Sequence, residues 1–141
     1  MSDAFKAIIV ALQALEEAPR IALKRSELKI KTLVEAQFDE GRDPYGEPWA
    51  ALAASTVAKG RTPPPLTDTG AMRKSLRVVA SADGLTCSMD EPFKFHQYGT
   101  VNMPARPILP AEGVPPEWGK VITETVEEVI MTFPIYSALR R

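Results

Sequence analysis

Residues 74–89 read KSLRVVASADGLTCSM, two short runs on either side of an Asp-Gly pair. Leu76, Val78 and Ala80 alternate with polar or exposed neighbours, Asp83-Gly84 supplies turn chemistry, and Leu85, Cys87 and Met89 alternate again. That pattern predicts a two-stranded antiparallel hairpin with one apolar face. Cys87 shares the face of Leu85 and Met89, which makes it a small buried hydrophobe. As a nucleophile it would need a base brought from elsewhere in the fold, and His96 is the single histidine.

Upstream, residues 3–17 place Phe5, Ile8, Ile9, Leu12 and Leu15 on one stripe at helical spacing, with Ser2 or Asp3 as cap. Pro19 interrupts the pattern. A second helix is expected after it, with Leu23, Ile30, Val34 and Phe38 on one side and Gly41 as its stop. Its outer face carries Arg20, Lys24, Arg25, Lys29 and Lys31 against Glu27 and Glu35. That face is either solvated or a basic surface for an acidic partner or DNA, which salt-sensitive binding would reveal.

Residues 42–69 form the long connection RDPYGEPWAALAASTVAKGRTPPPLTDT. Asp43-Pro44 and Tyr45-Gly46 are turn dipeptides, and Pro63-Pro64-Pro65 favours an extended conformation. A loop this long in a small domain is functional or disordered. Trp49 either pins it to the core or packs between subunits, where large aromatics are over-represented.

Downstream of the hairpin, Phe93, Phe95 and Tyr98 make the most aromatic stretch, Gly99 suits the end of a short helical turn, and Pro104 to Pro110 are constrained to be extended. Pro115 and Pro116 suit the start of a helix that runs through Trp118, Val121, Ile122, Val126, Val129, Ile130 and Phe133. The expected architecture is a single α+β domain over 1–141. It has helices over 1–40, an extended loop over 41–70, and over 71–141 a small antiparallel sheet built around the hairpin, the aromatic and proline-rich loop and a C-terminal helix.

The chain has 141 residues, 17 Lys and Arg against 18 Asp and Glu, which fits one compact domain with no global field for polyanions. One cysteine excludes an intramolecular disulfide framework and makes the cytoplasm the default compartment. Lys6 and Gln13 break the N-terminal apolar stretch, so it does not read as a signal peptide, and no run approaches the roughly 20 apolar residues of a membrane span. One histidine without a nucleophile-elbow motif argues against a hydrolytic triad, one His with one Cys cannot close a zinc site, and phosphate-cradling glycine motifs are missing. Asp39, Glu40 and Asp43 read most simply as a solvated helix end. No catalytic residue, cofactor or metal site is expected.

The loop motifs follow one another in an ordered series: GRDPYGEPWAAL, a Ser55-Thr56 to Lys59 segment, LTDTGAMRKSLRV, FKFHQYGT and MPARPILP. This succession, over roughly residues 38–110, resembles the phage virion morphogenesis family, the tail completion or neck proteins of Mu-like phages. The matching positions are Asp43, Pro44, Gly46, Pro48, Trp49 and Leu52, then Leu66, Thr69, Gly70, Ser75 and Leu76. They continue with His96, Gln97, Tyr98 and Gly99, then Pro104, Ala105, Arg106 and Pro107. Met72, Pro92 to Lys94 and Pro110 depart from the pattern at packing or turn positions.

The resemblance implies a structural protein without catalysis that helps close or join phage head and tail, located at the head-tail junction of the virion and assembled in the host cytoplasm. Its expected partners are further copies of itself in a ring, with a hexamer carried over from tail tubes in general, and other neck, connector and tail proteins. DNA would pass through the channel without sequence-specific contact. The candidate subunit contacts are Asp43, Pro44, Gly46, Trp49, Gly70, His96, Gln97, Tyr98, Gly99, Pro104, Arg106 and Pro107. Arg106, directed by flanking prolines, would pair with a carboxylate on a neighbour or within its own chain. His96 would act as a hydrogen-bonding strut. The alternatives are a transient assembly factor absent from the finished particle, and a small hydrolase using Cys87 and His96.

Overall fold

The structure, a computed structural model, describes residues 2–60, 65–66 and 70–133. Pro63, Pro64 and Thr69 lie outside the described residues. The order is α1 (Asp3–Glu40), α2 (Ala54–Ala58), α3 (Ala71–Lys74), β1 (Arg77–Ser81), β2 (Gly84–Ser88), α4 (Phe93–Tyr98) and α5 (Pro116–Thr132). The architecture is α+β: the long helix α1 packs against both α5 and a small two-stranded antiparallel sheet.

The N-terminal region is one helix of 38 residues, where the proline had suggested two. Pro19 sits inside it on the exposed side, so it removes the hydrogen bond to the Leu15 carbonyl without displacing a packed neighbour. Ser2 caps the start by accepting from the Phe5 N–H at 3.2 Å, and Gly41 ends the helix in the left-handed region at φ 66°.

Over the first half of α1 the buried face is not the expected stripe, whereas Ile30, Val34 and Phe38 of the second half are buried on one side as expected. Ala14, Ala18, Ala22, Ser26, Ile30, Val34 and Phe38 are buried at a strict spacing of four, while Phe5, Ile8, Leu12 and Leu15 stay exposed. Steps of four advance about 40° around a helix of 3.6 residues per turn, so the buried line winds from one neighbour to the next. Its small end meets α5, where Ala18 and Ala22 pack with Val129. Its large end carries Ile30, Val34 and Phe38 into a core shared with Trp49, Leu76, Val78, Met89, Ile108, Leu109 and Trp118.

The hairpin pairs Val78 with Cys87 and Ala80 with Leu85, as the alternation requires. Its turn is shifted by one residue from the expected position: Ala82 and Asp83 form the tip, and Gly84 opens β2 opposite Ser81 at φ +138°. The sheet lies against α1, and the Ala80 N–H donates to the Glu27 carboxylate at 2.7 Å. That bond, followed by Lys24, holds the Glu27 carboxyl below its ordinary range. Arg73 grips Asp39 with two nitrogens at 2.6 and 3.2 Å and lies over the Phe38 ring, tying α3 to the end of α1.

The basic face of α1 is partly neutralised. Lys24 pairs with Glu27 at 3.1 Å, and Lys29 reaches α5 to bond Thr125 at 2.9 Å and Glu128 at 3.2 Å.

Candidate functional site

Most of the candidate contact residues converge where the loop after α1 meets the segment after α4. The first part is a compact turn. Asp43 accepts with one carboxylate oxygen from the Tyr45 N–H at 2.8 Å and the Glu47 N–H at 2.9 Å, and its own N–H donates to the Glu47 carbonyl. Gly46 completes it at φ +95°, and Pro44 is buried beneath. Tyr45 carries the turn to the loop before α5, donating to the Gly113 carbonyl at 2.7 Å and accepting from the Glu112 N–H at 3.1 Å.

The second part is a clasp. Trp49 lies edge-on to Phe38 with ring centroids 5.6 Å apart, and its indole N–H donates to the Pro107 carbonyl at 2.7 Å. Arg106 returns the contact, donating from Nε to the Ala50 carbonyl at 2.7 Å and from Nη2 to the Ala51 carbonyl at 2.9 Å. Only 6% of its surface is exposed, and burial pulls its pKa down from the ordinary arginine value. Its intrachain partners are thus carbonyl dipoles where the sequence suggested a carboxylate.

Gln97 is the buried centre. Its oxygen accepts from the Ile108 and Leu109 N–H groups at 2.7 and 3.0 Å, and its nitrogen donates to the Leu109 carbonyl at 2.8 Å. Gln37 of α1 donates to the Ile108 carbonyl at 2.8 Å. The two glutamines give an extended, proline-rich segment the backbone partners that a sheet would otherwise supply. Gln37 carried no sequence signal, because a polar residue beside a helix terminus ordinarily faces water.

Gly99 closes α4 at φ +74°, and a Cβ there would meet the Ala105 nitrogen at 2.8 Å and the Met103 carbonyl oxygen at 2.9 Å. His96 offers its carbonyl to the Arg106 N–H at 2.7 Å, so its strut is backbone, while its buried Nδ1 makes no hydrogen bond. Burial and the neighbouring Arg106 charge lower the His96 pKa, leaving the ring neutral near pH 7. Burial raises the Cys87 thiol, which keeps it protonated and weakly nucleophilic. Gly70 precedes α3 at φ +71° and stands apart from the clasp by its chain contacts, with Lys74 donating back to its carbonyl.

Outside the clasp, Tyr98 is 72% exposed, Phe95 is more than half exposed, and Val101 protrudes fully from the Thr100–Met103 turn. Among the described residues no group of three or more His, Cys, Asp or Glu could hold a metal ion, and no helix is long and apolar enough to cross a membrane.

The model of the phage virion morphogenesis family matches residues 3–131. The chain belongs to that family. The match extends over α1 and α5 as well as the motif-bearing loops, so this phage virion morphogenesis protein carries the family pattern through nearly its whole length. Searches of curated proteins and of solved structures give no match.

Proposed function

We propose that this virion morphogenesis protein is a neck or tail completion component, forming a ring that joins or closes the head-tail interface. The observation that carries the reading is the clasp. Trp49, Gln97 and Arg106 spend their polar groups on backbone within the chain, which ties two long loops together and leaves Phe95, Tyr98 and Val101 exposed beside them. Enzyme loops need mobile or reactive groups, whereas an adaptor needs preorganised surface. The protonated Cys87 and neutral His96 have structural environments, and the proposal assigns them no catalysis.

A ring follows when one surface of a protomer meets a different surface of the next and the rotation closes. With net charge −1, such a ring would let DNA pass without gripping it. Light scattering over a concentration series, with negative-stain images of the most concentrated sample, tests this. Closed particles of uniform size are expected; a monomer throughout, in a protein also absent from purified virions, would favour the transient assembly factor.

A further inference from the structure

Among the described residues, the clasp buries one polar side-chain atom without a partner, Nδ1 of His96 on α4. The ring itself is half-buried. Against it stands Arg106, buried, with its N–H on the His96 carbonyl at 2.7 Å. The Arg106 guanidinium has the Ala50 and Ala51 carbonyls as acceptors and, among the described residues, forms no ion pair. Those two bonds are also what holds the next stretch of chain. Within residues 50–58 only Leu52 and Thr56 are half-buried, and α2 buries none of its residues. Among the described residues, the hydrogen bonds that reach this stretch from the rest of the chain are the two from Arg106.

We infer that His96 is an acid-sensitive latch: proton uptake at Nδ1 makes Arg106 release the Ala50 and Ala51 carbonyls and frees residues 50–58, while the core stays folded. A neutral ring buries Nδ1 as a bare acceptor. Protonation turns that atom into a buried donor with no acceptor and sets a second positive charge beside Arg106. No counter-charge is at hand. The facing segment, residues 100–110, has Arg106 as its single charged residue, the loop over residues 49–53 has none, and on α4 Lys94 pairs with Glu91 at 3.9 Å. Releasing Arg106 lets both cations reach water and gives up two bonds at an exposed edge, whereas Trp49, Ile108 and Leu109 keep their places in the core. Burial and the Arg106 charge hold the closed ring below its ordinary pKa of 6.5, so the open form takes up the proton first and gains as pH falls below that value. The latch is independent of the ring proposal.

The test is NMR hydrogen exchange on the full-length wild type between pH 7.5 and 5.0. Protection of the Arg106 amide, taken against the intrinsic exchange rate at each pH, should fall about tenfold per unit below pH 6.5 until the folded pKa is reached. The Trp49 indole N–H and the Val129 amide should remain better protected. His96→Gln should remove this pH dependence, and Arg106→Met should leave residues 50–58 flexible on the ps–ns timescale already at pH 7.5, read from backbone order parameters. Constant protection at Arg106, or the same decline in His96→Gln, would overturn the latch. Equal protection at Arg106, Trp49 and Val129 would overturn it too, because the opening would then be global unfolding, as would rigid residues 50–58 in Arg106→Met.

Discussion

Gly99 and Gly46 both occupy positive φ, but they differ in what surrounds them. At Gly46 nothing lies within 4 Å of an added Cβ, so Gly46→Ala bears backbone strain alone, about 1 kcal/mol. At Gly99 the backbone of Met103 and Ala105 blocks the same atom, and Gly99→Ala should cost about 3 kcal/mol. Urea unfolding of the two variants checks the ranking, and equal losses would show that the turn after α4 yields easily. Arg106→Met, which removes the charged donors facing Ala50 and Ala51 while keeping the stem, should cost about 2 kcal/mol, with Arg106→Lys recovering part of it.

His96 makes a pH prediction. Its folded pKa lies below the ordinary value of 6.5, so on acidification the unfolded chain takes up the proton first. Its contribution is complete above about pH 6.5 and is lost as pH falls toward the lowered folded pKa. Urea midpoints between pH 7.5 and 5.5 should therefore decline, and His96→Gln should flatten that interval. The loss tied to Glu27 and Asp39 would remain at lower pH, because both carboxyls are held below ordinary values of 4.5 and 3.8. At this scale the sequence was informative about where special residues stand and less so about their partners. Pro104, Arg106 and Pro107 marked a directed arginine, yet carbonyl acceptors belong to backbone geometry that residue identities do not spell out.

At the scale of elements, α1 carries a defect that a substitution would mend. Pro19→Ala restores a donor to the Leu15 carbonyl on the exposed side and should raise stability by about 1–3 kcal/mol, read as a higher melting temperature. A loss would mean that the α1–α5 contact depends on the shape the proline imposes. Ala18, fully buried against Val129, has no room to grow, so Ala18→Leu should cost about 1–3 kcal/mol. The hairpin and α5 were legible because alternation and a wide apolar arc each have one economical burial. The first half of α1 was not. Its large residues Phe5, Ile8, Leu12 and Leu15 stay exposed, and the face that packs is built of alanines, whose small side chains give periodicity little weight. The turn shift had a similar origin, since Asp-Gly fits a tip as well as it fits a tip and the first strand residue.

For the whole molecule, the family was legible in the order of five loop motifs, and the fold explains why those motifs occur together. Trp49, Gln97 and Arg106 are distant in sequence and meet in one clasp, each spending its polar atoms on the backbone of another loop. The residues that signalled the family therefore hold the loops, while Tyr98 of that set, like Phe95 and Val101, is left exposed. Side chains bound by internal geometry stand out as motifs, whereas contact residues need only be apolar and exposed, a property that appears once burial is known. The proposed role requires the protein to remain in the particle as a structural component of the head-tail junction. Quantitative mass spectrometry of purified virions tests it most directly. This chain is expected at a fixed, low copy number per particle in step with other neck proteins, and its absence from infectious particles would overturn the proposed role.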